Sequence, residues 1–403
     1  MRIKPLIFAF VAVLLVVGCK DDDKNEDNFS SLTPEEHKAN LETSGLKVAD
    51  KFNDLEDLEA LQVVDEFVEL MNATYSSESG VMTVMESVAS LEDASGSVFT
   101  LKEITIEEQP SLGDSFKEEA GIYTYNSQTQ SWDKEESDDQ ITYKFPVKSS
   151  TVNNATISVT NFSYTTSSAV YSSTSQDLLK SVNISLKVDD AELILFTFSG
   201  EYNTDGVPTS LSENLALGKY NISTSLTGSD SKVSFDQAFK YDESNLLSSH
   251  FEMRGDLNYG EMISETNPYD QTELEYVNAW VAVDTFKLEG IVDWKSFLND
   301  AGNASNENVA SAQEGMEKMA ELINNSMSLK LKYNVSDEVI AKGEAYAMQD
   351  PDSPEAWILD FRVKFGDGSY MDDSFFSEKN FVDLYKKVGD LMTAMENNYN
   401  SIE

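Results

Sequence analysis

Hydrophobic and polar positions repeat along this chain with two different periods, and the change of period divides it. From Thr33 the spacing is helical. Thr33-Pro34-Glu35-Glu36 has the form of a capping box, with threonine at the N-cap, proline at the first helical position and glutamate three residues on. Leu41 and Val48 continue that helix. A second helix is predicted from about Asp54 to Ala73, where Leu58, Leu61, Val64, Phe67, Val68 and Met71 recur at three and four as one buried stripe.

From about Ser97 the period falls to two. Val98, Thr100, Lys102, Ile104 and Ile106 open a long strand region, extended by Ile141, Tyr143 and Phe145 and then by Ile157, Val159 and Asn161. Val182, Ile184, Leu186 and Val188 alternate with Asn183, Ser185 and Lys187, a strand with one wet face. After an Asp189-Asp190 turn, Ala191 to Ser199 is apolar on both faces and reads as a central strand. Turn residues at 203–206, 228–230 and 242–245 then separate short strands, the pattern of a meander of antiparallel hairpins. A last long strand region is predicted over Leu274 to Val292. Residues 148–178, rich in Ser, Thr and Asn, fit either solvent-facing strands or a long loop.

Helical spacing returns at about Asp293 to Leu298 and Asn306 to Asn325, the latter carrying Val309, Met316, Met319, Ala320 and Ile323. Strands follow at Leu329 to Val335, Val339 to Met348 and Trp357 to Phe365, with a turn at Gly366-Asp367-Gly368. A closing helix carries Phe381, Leu384, Tyr385, Val388, Leu391, Met392 and Met395. Segregated helices and hairpin strands predict an α+β fold: a large curved antiparallel sheet packed with N-terminal, inserted and C-terminal helices. The expected organisation is one domain over 33–403, helical at 33–95, mainly β at 96–292, and helix-strands-helix at 293–403.

The first 32 residues follow other rules. A basic start (Arg2, Lys4) and an apolar run from Leu6 to Val17, too short to cross a bilayer, lead to Cys19, the single cysteine of the chain. Residues 1–18 therefore read as a signal peptide and 19–32 as an acidic tether. Val16, Val17, Gly18 and Cys19 resemble the lipobox of bacterial lipoproteins, which implies that Cys19 is acylated and becomes the mature N-terminus. Lys20, Asp21, Asp22 and Asp23 resemble the acidic export signal of Bacteroidota surface lipoproteins. That resemblance implies an outer-membrane location, lipid-anchored and facing the extracellular side.

Charge narrows the partners. Without residues 1–18 the chain holds 27 basic and 72 acidic residues, a net charge of −45. Such a field repels nucleic acid and anionic headgroups, so no nucleic-acid partner is expected. With Cys19 acylated, no thiol remains for a disulfide, a metal or a nucleophile. Two histidines, His37 and His250, are too few for a zinc site of the usual kind, and no metal or cofactor is expected.

The remaining candidates are ordinary on sequence grounds. The acidic run Asp133 to Asp139 lacks the glycine and spacing of an EF-hand loop and is expected to be a solvated hairpin loop. Asp367, Asp372 and Asp373 are read the same way. His250 lies beside Ser248 and Ser249, but no Gly-x-Ser-x-Gly elbow occurs, and a structural or exposed histidine is expected. Trp132, Trp280, Trp294 and Trp357 fall at element edges, where aromatic rings could meet a sugar or a partner.

The order of elements is similar to the LolA and LppX class of lipoprotein carriers, which implies a sheet wrapped on helices around an apolar cavity. Thr33-Pro34-Glu35-Glu36, Tyr123-Thr124-Tyr125-Asn126 with Trp132, Tyr143-Lys144-Phe145-Pro146 and Val363-Lys364-Phe365-Gly366-Asp367-Gly368-Ser369 resemble uncharacterised surface lipoproteins of Bacteroidota. The expected function is non-enzymatic binding at the cell surface, with a glycan or host protein as ligand. The alternatives are a carrier of a lipid or other hydrophobic ligand between sheet and helices, and a hydrolase built on a carboxylate pair.

Overall fold

The computed structural model describes residues 28–52, 58–74, 112–167, 176–264, 274–304, 309–371 and 377–389. They form an α+β architecture in which one sixteen-stranded sheet is packed with six helices before and within its strands and a further helical stretch after them. In chain order these are α1 (Pro34–Phe52), α2 (Glu59–Thr74), α3 (Leu112–Glu119), β1 (Gly121–Asn126), β2 (Ser131–Glu135) and β3 (Ile141–Phe145). Then come β4 (Ala155–Ser167), β5 (Gln176–Val188), β6 (Ala191–Tyr202), β7 (Pro208–Leu217), β8 (Tyr220–Ser229), β9 (Lys232–Tyr241) and β10 (Ser244–Gly255). The chain continues with α4 (Tyr259–Ser264), β11 (Leu274–Val283), β12 (Phe286–Asp293), α5 (Trp294–Ala304) and α6 (Ala312–Ser326). It closes with β13 (Met327–Tyr333), β14 (Val339–Gln349), β15 (Trp357–Phe365), β16 (Tyr370–Met371) and a helical stretch at 382–389.

From β3 to β16 each strand pairs antiparallel with its sequence neighbours. The exception is at the start, where β3 returns on the far side of β1 and pairs with it in parallel, leaving β2 outermost. Both edges are blunted against further pairing. β2 carries exposed Asp133, Lys134 and Glu135, and β16 is two residues long. The hairpins turn through aspartates that tolerate a left-handed backbone: Asp189 and Asp190 at φ 48° and 66°, Asp242 at 50° and Asp284 at 49°.

The register sorts side chains into one apolar and one polar face. Ile157, Leu186 and Ile194 are cross-strand neighbours on β4, β5 and β6, and the same face carries Leu226, Phe235 and Phe251 further along. On the opposite face Ser158, Ser185 and Leu195 are neighbours. Residues 148–178 thus contribute two strands, β4 and β5, whose Thr156, Ser158 and Thr160 are the polar half of an alternation with Ala155, Ile157 and Val159.

Helices α1 and α2 lie along one end of the apolar face, where the hairpin turns are. His37, Ser44 and Val48 of α1 are buried, at helical spacing. Along its length α1 meets Tyr333 of β13 through His37 Nδ1 (2.9 Å), the β11–β12 turn through Ser44 Oγ and Lys47 Nζ on Asp284 (2.9 and 2.6 Å), and Phe239 of β9 through Phe52 (centroids 5.0 Å). Leu384 packs on the bare backbone of Gly45, where a Cβ would lie 2.7 Å from its Cδ2. Helix α2 continues toward β3, with Lys148 N donating to Glu66 Oε2 (2.9 Å) and Phe67 packed on Tyr143 and Phe145. The capping box forms as expected, with Thr33 N donating to Glu36 Oε2 at 2.8 Å.

Burial of His37 lowers its pKa, and the nearby carboxylates offset only part of that. The folded state therefore binds this proton less readily than the unfolded chain. Stability from His37 is complete above about pH 6.5 and falls as pH drops through the window below it, by at most about 1.4 kcal/mol per pH unit for one proton. Urea denaturation at pH 7.5 and 5.5 should show that loss, and His37→Phe should reduce it.

Several sequence expectations are corrected. The α2 stripe is Ala60, Val63, Phe67 and Met71, whereas Leu61 lies about one residue round the helix and is 44% exposed. The strand region predicted over 274–292 resolves into a hairpin, β11 and β12, turning at Asp284 in the left-handed conformation. A helix not expected from the sequence, α3, lies inside the region read as mainly β, and α4 is inserted before β11. Helix α6 begins at Ala312 rather than near Asn306. Ser311 is its N-cap, accepting from Glu314 N at 3.1 Å, which leaves Val309 outside the helix and exposed. Met319 is also exposed, whereas Ala320 is buried as its spacing predicts, together with Leu322. Residues 98–106, Leu391, Met392 and Met395 lie outside the described residues.

Where α6 runs into β13, the sheet is completed by a side chain. β13 pairs with β14 only from Val339 to Lys342, and beyond that point Asn324 takes the place of a strand. Its Oδ1 accepts from Ala345 N (2.8 Å) and its Nδ2 donates to Ala345 O (2.9 Å). Ala345 is 2% exposed, so both main-chain groups would otherwise lack a partner away from water.

Candidate functional site

Three buried clusters fill the apolar face. One lies under α2 and α3, around Phe67, Tyr143, Phe145 and Val159. A second lies under α1, around Phe286, Ile340 and Phe365. The third lies under α4, around Leu226, Val233, Met253 and Tyr259. Ile222, Leu247, Ala279, Val281, Leu288 and Leu329, on β8 and β10–β13, belong to none of these clusters, and all six are only half-buried. They form an apolar window between the helix-covered parts.

A polar row crosses this window. Glu213, Thr224, Gln237 and Ser249 are successive cross-strand neighbours on β7, β8, β9 and β10. Apolar rows flank them on both sides: Leu215, Ile222, Phe239 and Leu247 toward α1, and Leu211, Leu226, Phe235 and Phe251 toward α4. The same row turns apolar at Val281, Leu288 and Leu331 on β11–β13. Among the described residues the side chains of Thr224, Gln237 and Ser249 make no hydrogen bond, and all three are half-buried. Polar groups on an apolar face are costly unless water or a ligand pairs with them. Sequence reasoning missed this row because its members sit on four different strands, and only the register brings them together.

The polar face carries ion pairs whose partners are largely accounted for. Burial pushes the Glu289 carboxyl up, but Lys332 Nζ at 2.7 Å and Lys287 Nζ at 3.3 Å outweigh it and hold the pKa low. Glu252 behaves likewise: burial raises it, and Lys232 and Arg254, at 2.5 and 2.6 Å, lower it further. Lys287 and Lys332 are direct cross-strand neighbours, so Glu289 relieves a like-charge contact.

His250 is also on this face. Its Nδ1 lies 2.7 Å from Asp236 Oδ1 and its ring stacks on Trp280 at 5.7 Å. Ser249 points to the opposite face, and Ser248 Oγ accepts from Asn245 Nδ2 at 3.0 Å. The histidine and serines that adjoin in sequence are thus not assembled into a nucleophile–base pair. Among the described residues no three His, Cys, Asp or Glu side chains are grouped as metal ligands, and no helix is long and apolar enough to cross a membrane.

A third feature lies where β3 begins and β4 runs on past its first residue. An open groove of about 490 Å³ is lined by α3, the loop before β3 and the bulged segment of β4, including Asp138, Asp139, Asn161, Phe162 and Tyr164. The acidic run read as a loop therefore splits: Asp133 is in β2, and Asp138 and Asp139 edge this groove. A second groove of about 490 Å³, between Val152 and Asp190, is mainly polar. Cys19, Lys20, Asp21, Asp22 and Asp23 lie outside the described residues. No family model, no curated protein and no solved structure matches this chain.

Proposed function

We propose that this is a non-enzymatic, lipid-anchored envelope protein whose sheet carries an amphiphile with a hydrocarbon chain. The observation that supports the reading most directly is the half-buried apolar window with its polar row. A chain laid over Val281, Leu288 and Leu331 meets hydrocarbon, while a hydrogen-bonding head on the same row meets Thr224, Gln237 and Ser249. At about 0.8 kcal/mol per buried CH₂, a chain of a dozen carbons contributes at most roughly 10 kcal/mol, and association costs of about 4 kcal/mol or more leave binding on the order of 100 μM or weaker. Acyl chains on Cys19, followed by the tether with Asp21, Asp22 and Asp23, would hold the domain at the outer membrane on its extracellular side.

Two measurements test the two halves separately. Cys19→Ser should abolish radiolabelled palmitate incorporation and move the protein from the membrane to the soluble fraction. For the ligand, a fluorescent long-chain monoacylglycerol, whose head is neutral, titrated into the soluble domain should bind saturably. Leu288→Asp should weaken binding at least about tenfold, since a carboxylate in the window costs several kcal/mol to desolvate. Gln237→Leu is a second variant that spares the apolar window and should weaken head-group binding. Saturable binding unaltered by both, or none at all, removes the carrier reading.

A further inference from the structure

We infer that the groove beside the β4 bulge is a binding site for a neutral saccharide unit, a function separate from the apolar window and independent of it. The groove exists because β4 outruns its partner. β3 pairs with β4 only from Ala155 to Val159, so the next residues of β4 have no strand on that side. There the strand bulges against β5, with register breaks between Thr160 and Tyr164 and Asn161 in the left-handed conformation at φ 53°. The bulge turns Asn161 outward.

The floor is aromatic and held in place. Phe162 stacks on Phe116 of α3 at 4.1 Å with an interplanar angle of 4°, and the Tyr164 ring lies 6.0 Å from that of Phe162. Tyr164 presses on the α3 backbone at Gly113, where a Cβ would come within 2.3 Å of its ring. Gly113 N is bonded to Asp177 Oδ2 (3.0 Å), which fixes α3 to β5. Around this floor stand the carboxylates of Asp138 and Asp139, the carboxamides of Gln140 and Asn161, the Thr160 hydroxyl and the Lys117 ammonium. Among the described residues the side chains of Asp138, Thr160 and Asn161 make no hydrogen bond.

Those groups select a ligand class. A wholly apolar ligand would leave the polar rim unpaired. A divalent cation needs six to eight oxygens closed around it at about 2.4 Å, whereas this groove is open and holds an ammonium. Nucleic acid is opposed by a net charge of −43. A pyranose has apolar C–H faces for the rings and hydroxyls for carboxylate and carboxamide, and one or two such units fit the volume.

The test is affinity electrophoresis and calorimetry of the soluble domain against neutral polysaccharides (glucan, mannan, xylan and galactan) and their oligosaccharides. At least one should bind, and Asp138→Ala and Asn161→Gly should each weaken it about tenfold or more without shifting the unfolding midpoint. Asn161→Gly suits the positive φ, so a lost interaction there is not a folding defect. Binding of none of these sugars at about 10 mM, a threshold of roughly 2.7 kcal/mol, would overturn the inference. So would sugar binding indifferent to both substitutions, or an extended peptide that displaces the sugar and binds the β4 edge more tightly. Because none of these residues lies in the apolar window, failure here leaves the monoacylglycerol titration unaffected.

Discussion

Phe67→Ala should destabilise the protein by about 3–5 kcal/mol, as expected for truncating a fully buried phenylalanine. Phe67 is 1% exposed and is the knob by which α2 enters the sheet. Its ring lies 5.6 Å from that of Tyr143, meeting it edge-on at 70°, and 4.9 Å from that of Phe145. Both partners are themselves fully buried, so the site cannot collapse by a simple side-chain swing, and the cavity term should be near the upper end. Urea denaturation followed by tryptophan fluorescence measures the change. Trp132 stacks edge-on against Tyr143 at 5.2 Å and so reports from the same cluster. Leu61→Ala, on the exposed side of the same helix, is the control and should cost under about 1 kcal/mol. Equal effects from the two substitutions would mean that α2 does not pack through Phe67.

Asn324→Ala should cost about 2–4 kcal/mol, unusually much for an asparagine near a helix end. The loss is of two hydrogen bonds to one buried residue, and each orphaned main-chain group carries its own desolvation penalty. Asn324→Asp separates the two bonds. Its carboxylate can still accept from Ala345 N but cannot donate to Ala345 O, so it sets two oxygens against each other. The aspartate variant should therefore be destabilised at neutral pH and should regain stability relative to wild type below about pH 4, where a protonated carboxyl can donate again. Hydrogen exchange at Ala345 N would show the same order, fastest in the alanine variant. If alanine is tolerated within about 0.5 kcal/mol, the side chain is not serving as a strand.

Much of the scaffold was legible because it is written in local chemistry. The capping box at Thr33 and Glu36, the strand alternation from Val182 to Val188 and the aspartate turn after it all depend on neighbours within a few residues. The errors came where burial was decided by a distant element. Leu61 and Val63 are both apolar, and only the placement of the helix on the core cluster buries one and exposes the other. Met319 and Ala320 belong to one helical repeat, yet Ala320 is buried with Leu322 while Met319 is exposed. Ser311 with Glu314 was a readable cap that the apolar spacing around Val309 concealed. Of the candidate surfaces, Asp138 and Asp139 were visible as an acidic run, but nothing local placed them beside Asn161, Phe162 and Tyr164.

By itself the sequence determined the fold class, the meander and the two-faced character of the strands, because periods of 2 and 3.6 are properties of the backbone and appear in any sequence that obeys them. Tertiary structure alone decided the register. Register places Thr224, Gln237 and Ser249 in one line across an apolar face, and it sets the first residue of β3 against Val159, which opens a groove beside the rest of β4. Each strand is compatible with several alignments to its neighbour, and the choice among them is made by hairpin turns and helices acting together over the whole sheet.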